Sequence, residues 1–171
     1  MDTFLGRRSW HWRAVDWVAA AVSGFAAGAV LMVLDLIWSA IFNPDGPWRT
    51  SHMIALIFSG APAESLQAGG YQFGLGAVSL ALLIHYALGI VFGLVMATIL
   101  VQLRLDTEPL KALVAGAFMG WLLYLVNFGM LTAFFPWLAD LRGAATVAAH
   151  LVFGCVAAVL YWRLNRMAPK D

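Results

Sequence analysis

Four apolar runs, 15–42, 74–103, 110–135 and 143–162, constrain this chain more than anything else in it. Each matches the roughly 20 residues needed to cross the hydrocarbon core of a bilayer. In hydrocarbon every backbone N–H and C=O must find its partner within the protein, so a run of this kind must be a helix. Little chain remains for a separate soluble domain. The composition agrees: 63% hydrophobic and 11% charged residues, against about 45–50% and 25% in soluble proteins. The fold expected is an all-α membrane protein, a single four-transmembrane-helix bundle.

Orientation follows from the basic residues. Arg7, Arg8 and Arg13 precede the first run, Arg104 and Lys111 lie between the second and third, and Arg163, Arg166 and Lys170 follow the fourth. Only Arg49 and Arg142 fall on the opposite side. The pattern predicts a membrane protein with both termini cytoplasmic. Arg7, Arg8 and Arg13 resemble the charged start of a secretory signal, but the apolar run that follows far exceeds a signal core of about 7–15 residues, and the segment is expected to be retained. A net charge of +1 leaves no concentrated basic face for nucleic acid. The single cysteine, Cys155, lies inside the fourth run and reads as a packing residue.

Residues 43–73 form the longest connection. Asn43-Pro44-Asp45-Gly46-Pro47 must end the first helix. The next stretch, 49–59, mixes Met53, Ile54, Leu56, Ile57 and Phe58 with Arg49, Ser51 and His52, as in a short periplasmic helix lying in the interface and capping the bundle mouth, or in a disordered link with an apolar patch. Gly60-Ala61-Pro62 closes it and Gly69-Gly70 precedes the second span. Trp10, Trp12, Trp17, Tyr161 and Trp162 on one side, and Trp38, Trp48, Tyr71 and Trp137 on the other, form interfacial belts.

A signature occurs twice. Gly24, Gly28 and Asp35 are followed by His85 and Gly89; Gly116, Gly120 and Asn127 are followed by His150 and Gly154 with the same local spacings. The chain therefore reads as a duplicated helical hairpin. Small residues four apart let membrane helices approach closely, and Gly24, Gly28, Gly89, Gly93, Gly116, Gly120 and Gly154 supply such stripes in the cytoplasmic half. Asp35 and Asn127 continue two of these stripes, while His85 and His150 stand four residues before a glycine. At about 1.5 Å per residue all four reach one layer, roughly 10–15 Å below the outer surface. Two hairpins of the same orientation imply a pseudo-twofold axis along the membrane normal.

Polar side chains at this depth are a functional-site hypothesis by default. Asp35, His85, Tyr124, Asn127 and His150 are the residues expected to line a pocket open to the periplasm above a closed cytoplasmic base. Three uses stay open. The polar groups bond one another and fix the register of the bundle. They hold a proton, a cation or a small solute. Or His85 and His150 ligate a metal or a haem, for which no HxxxH, ExxH or CxxCH pattern is present. No nucleophile elbow, phosphate loop or dinucleotide fingerprint points to an enzyme, and Ser23, Ser39, Ser79 and Thr98 read as packing hydroxyls. His11 and His52 fall outside the spans; Asp16 reads as a helix-start acid. Arg142 with Asp140, and Arg104 with Asp106, are close enough in sequence to pair. Beyond the lipid bilayer, the glycine stripes suit a homo-oligomer or a place in a larger membrane complex.

Ile84-His85 with Gly89-Ile90-Val91-Phe92, Leu113-Val114-Ala115-Gly116-Ala117, Tyr124 with Asn127-Phe128, and His150-Leu151-Val152-Phe153 resemble the small four-helix bacterial inner-membrane proteins of the YagU-like family over residues 84–162. The resemblance implies fold and location. It brings no settled activity and no catalytic residue.

Overall fold

The computed structural model describes residues 12–60 and 70–167, and among these there is no β-strand. Arg7, Arg8, Trp10, His11, Ala61, Pro62, Gly69 and Lys170, to which the sequence reading assigns roles, lie outside the described residues. Five helices carry the fold: α1 (Trp17–Phe42), α2 (Arg49–Ser59), α3 (Leu75–Gln102), α4 (Pro109–Phe134) and α5 (Ala144–Leu164). All but α2 are long and apolar enough to cross a membrane. One end of the bundle carries the described chain ends, Trp12 and Met167, and is called the terminal face; α2 lies at the other end.

Local chemistry sets each boundary. Asp16 caps α1 by accepting from the Ala19 amide at 3.0 Å, which satisfies one of the free N–H groups at a helix start. That bond holds the Asp16 carboxyl below its ordinary value. A lowered folded-state value means the contribution is present above the unfolded value and is lost as pH falls through the folded one. Asp16→Ala is therefore expected to cost about 1 kcal/mol at neutral pH and less in strong acid, a difference readable from paired melts. At the far end of α1, the Asn43 side chain accepts from the Asp45 amide at 3.0 Å and Gly46 turns the chain at φ 82. Gly60 ends α2 in the left-handed region, φ 66. Pro109 opens α4, where its missing N–H costs nothing. One π-helical turn, Val126–Met130, interrupts α4, and a 3-10 turn, Pro136–Leu141, leads to α5.

The two hairpins, α1 with α3 and α4 with α5, are each tightly packed, and α1 against α5 joins them. Glycine makes the hairpins possible. A Cβ on Gly24 would strike the Gly89 carbonyl, and one on Gly93 would lie 2.6 Å from the Gly24 Cα. In the second hairpin a Cβ on Gly116 would strike the Gly154 carbonyl, and one on Gly120 the His150 carbonyl. Corresponding glycines thus meet corresponding carbonyls, as a duplication requires. Gly28 departs from the pattern: its nearest neighbour would be the His85 carbonyl at 3.5 Å, ordinary contact distance. The buried apolar core, including Ala20, Ala27, Leu100, Ala112, Phe153, Ala158 and Tyr161, lies in the half towards the terminal face.

The symmetry is also broken between the hairpins. A twofold exchanging the hairpins would turn the α1–α5 contact into a contact between α4 and α3, yet those two helices barely touch. Beside the turn that joins them at the terminal face lies a cavity of about 600 Å³.

Candidate functional site

The polar layer of the α2 half is assembled from both hairpins, and its two halves are wired differently. On α5, one imidazole is fully satisfied. His150 Nδ1 lies 2.8 Å from the Thr146 carbonyl, one turn back. A carbonyl can only accept, so Nδ1 carries the proton, and Nε2 is left to accept from the Asn127 amide at 3.1 Å. Tyr124 and Phe128 set their rings edge-on to the imidazole, with centroids 5.8 and 5.6 Å away. The π-turn aims Asn127 at it: widening the helix here shifts the register of the residues beyond, and such turns recur at functional sites. The carbonyl of Phe128 in that turn accepts from Thr132 Oγ1 at 3.0 Å and from the Arg142 guanidinium, whose Nε stands 3.0 Å away.

The first hairpin does not repeat this wiring. Asp35 accepts from Thr50 Oγ1 of α2 at 3.3 Å and has no hydrogen bond to His85 among the described residues. His85 Nδ1 is buried and forms no hydrogen bond as well made as the one from His150 to Thr146; the Ala81 carbonyl, one turn back, is the backbone acceptor nearest in sequence that acts on it. His150 lies close enough to act electrostatically on His85, without a bond between them. The expected polar residues therefore separate into a closed group, Tyr124, Asn127 and His150, and an open one, Asp35 and His85. A centre ligated by both histidines would require His150 Nε2 to release Asn127. Among the described residues no three His, Cys, Asp or Glu side chains are grouped as metal ligands would be.

Helix α2 lies against the α2-face end of α3 and is tied down from several sides. Besides Thr50, the Trp137 indole donates to the Met53 carbonyl at 3.1 Å, and Arg49 reaches Asp45 at 3.2 Å and Asp140 at 3.6 Å. The expected pair of Arg142 with Asp140 is not formed. Arg142 is drawn instead to the carbonyl exposed by the π-turn, a feature with no signature in the sequence.

At the terminal face the pairing of Arg104 with Asp106 also gives way to a longer-range one. Asp106, 2% exposed, accepts from Arg13 at 3.1 Å and from the Asn165 amide at 3.2 Å. Arg13 also donates to the Val101 carbonyl at 2.8 Å, and Gln102 holds the Arg13 backbone through both its N–H and its C=O. Asp16 accepts from the Arg166 amide at 3.3 Å. One buried network thus ties the segment before α1, the α3–α4 turn and the end of α5. Sequence reasoning missed Arg13, Gln102, Asp106 and Asn165 as a group, because they come from three distant segments. The available signal was an acid, Asp106, among basic residues beside a span.

The fold and its apolar helices define an all-helical integral membrane protein in contact with lipid. Comparison with protein-family models, with curated proteins and with solved structures returns no match.

Proposed function

We propose that the protein is a non-enzymatic component of a bacterial inner membrane, with both termini cytoplasmic, whose open polar group binds a proton, a cation or a small solute entering from the periplasm. The observation that carries this reading is His85 Nδ1, buried at membrane depth with only the Ala81 carbonyl acting on it and no well-formed hydrogen bond, while its counterpart in the repeat is fully bonded. An unmatched polar atom in a low-dielectric layer is costly unless something binds there. Asp35, held from α2 by Thr50, supplies a carboxylate in the same half of the bundle. The closed group then has a structural role. The YagU-like resemblance of residues 84–162 fits the same reading.

A second reading, a purely structural or accessory bundle, is favoured by the Asn127–His150 bond, which is the register-fixing contact such a bundle needs. Nitrogen-15 NMR of histidine-labelled protein in nanodiscs separates the two. The His150 signals are expected to stay in the Nδ1–H form throughout. The His85 signals are expected to shift on lowering pH or on adding monovalent or divalent cations, and to disappear in His85→Ala. Inert His85 signals across that series would leave the structural reading in place.

A further inference from the structure

The cavity between α3 and α4 opens in the half towards the terminal face and is lined by side chains such as Ile99, Leu103, Val114, Phe118 and Leu122, with Lys111 at its rim. Its position is where the duplication calls for a packed helix pair. The chain instead leaves an apolar slot at the depth of lipid tails, with a cation where a headgroup would lie.

The turn that closes this slot is built in a costly way. The Leu105 amide donates to the Leu100 carbonyl at 2.8 Å and the Arg104 amide to the Val101 carbonyl at 3.2 Å, the paired bonds that end a helix around a left-handed residue. Glycine usually fills that place. Here it is Arg104, at φ 57, the one described non-glycine residue with positive φ. A side chain in this conformation is disfavoured, and a strained position retained in a fold points to a use for its side chain. Arg104 is exposed, and no described acid pairs with it. Leu103 and Leu105 on either side of it line the slot. Lys111 pairs with Glu108 at 2.6 Å, but both are exposed and such a pair is weak enough to yield to a phosphate.

From this juxtaposition we infer that the α3–α4 slot is a binding site for an anionic phospholipid, with an acyl chain between the helices and the headgroup phosphate on Arg104 and Lys111. Basic residues at the mouth of an interhelical pocket are the recurring means of holding such headgroups. The apolar wall explains why a lipid, rather than a free phosphate, is the occupant.

The test uses the full chain, purified and delipidated in detergent, then offered phosphatidylglycerol or phosphatidylcholine of identical acyl chains. Bound lipid is read by native mass spectrometry and stability by Tm. Phosphatidylglycerol is expected to remain bound and to raise Tm more than phosphatidylcholine does. Arg104→Gly and Lys111→Gln are each expected to reduce retained phosphatidylglycerol about fivefold without changing phosphatidylcholine. Because Arg104→Gly removes the left-handed strain, its lipid-free Tm should equal or exceed that of the parent chain, so a binding loss there is not a folding loss. Ala115→Phe, which narrows the slot, should reduce both lipids. Equal retention of the two lipids, an unchanged preference in Arg104→Gly, or cross-linking that shows a second copy seated on the slot would each overturn the assignment.

Discussion

Gly154→Leu is expected to separate the second hairpin, at a cost of about 3 kcal/mol or more. A Cβ alone at Gly154 would run into the Gly116 carbonyl and come within 2.8 Å of the Gly120 amide nitrogen. Both are backbone atoms, which cannot rotate aside as a side chain can. To admit leucine, α4 and α5 must move apart, and their separation breaks the Asn127–His150 bond that depends on it. The loss therefore combines van der Waals contact between backbones with an exposed polar pair in hydrocarbon. Gly28→Ala is the control: its stripe position looks the same in sequence, but 3.5 Å of clearance means the extra methyl fits. Unfolding in mixed detergent, followed by tryptophan fluorescence, should show a large shift for the first variant and little for the second.

Asp106→Ala is expected to cost about 3 kcal/mol, the lower part of the range for breaking a buried ion pair. The carboxylate is almost wholly enclosed, whereas the Arg13 side chain keeps 29% of its exposure and can recover some hydration. The Asn165 amide, in a residue only 1% exposed, loses its acceptor outright. Asp106→Asn, which keeps one acceptor oxygen, should fall between the parent and the alanine variant. The structural consequence is specific: three chain segments are released together at one face. Limited proteolysis should then cut near residues 103–108 faster than in the parent, with the region around α2 unaffected.

These two variants illustrate how unevenly the molecule is written in its sequence. Gly116, Gly120 and Gly154 announce themselves because their spacing of four is a local property of a helix, and close helix approach has few other solutions in a membrane. The Asp16 cap is legible for the same reason, since it acts on an amide three residues away. The Arg13–Asp106–Asn165 network is not, because each member is an ordinary polar residue beside a span. Nothing local distinguishes an acid that pairs with Arg13 from one that pairs with Arg104. The π-turn was equally silent. It redirected Arg142 away from Asp140, and it turned Asn127 onto His150.

The repeat itself shows the limit most clearly. Sequence symmetry gave Asp35 with His85 and Asn127 with His150 the same standing, and in the folded chain one pair is bonded and the other is not. The two pairs differ in their partners: Thr50, carried in by α2, donates to Asp35, whereas Asn127 bonds His150 directly.

By itself the sequence determined that four segments cross a membrane as helices, because apolar length and backbone hydrogen bonding in lipid leave no alternative, and it placed the glycines on which two hairpins close. The tertiary structure alone decided which polar groups are satisfied, that α1 and α5 form the contact between hairpins, and that α3 and α4 barely touch, with a cavity lined by Leu103, Leu105 and Lys111 beside their turn. Those outcomes depend on the sum of many weak contacts between distant segments, and no short-range pattern in the chain encodes such a sum.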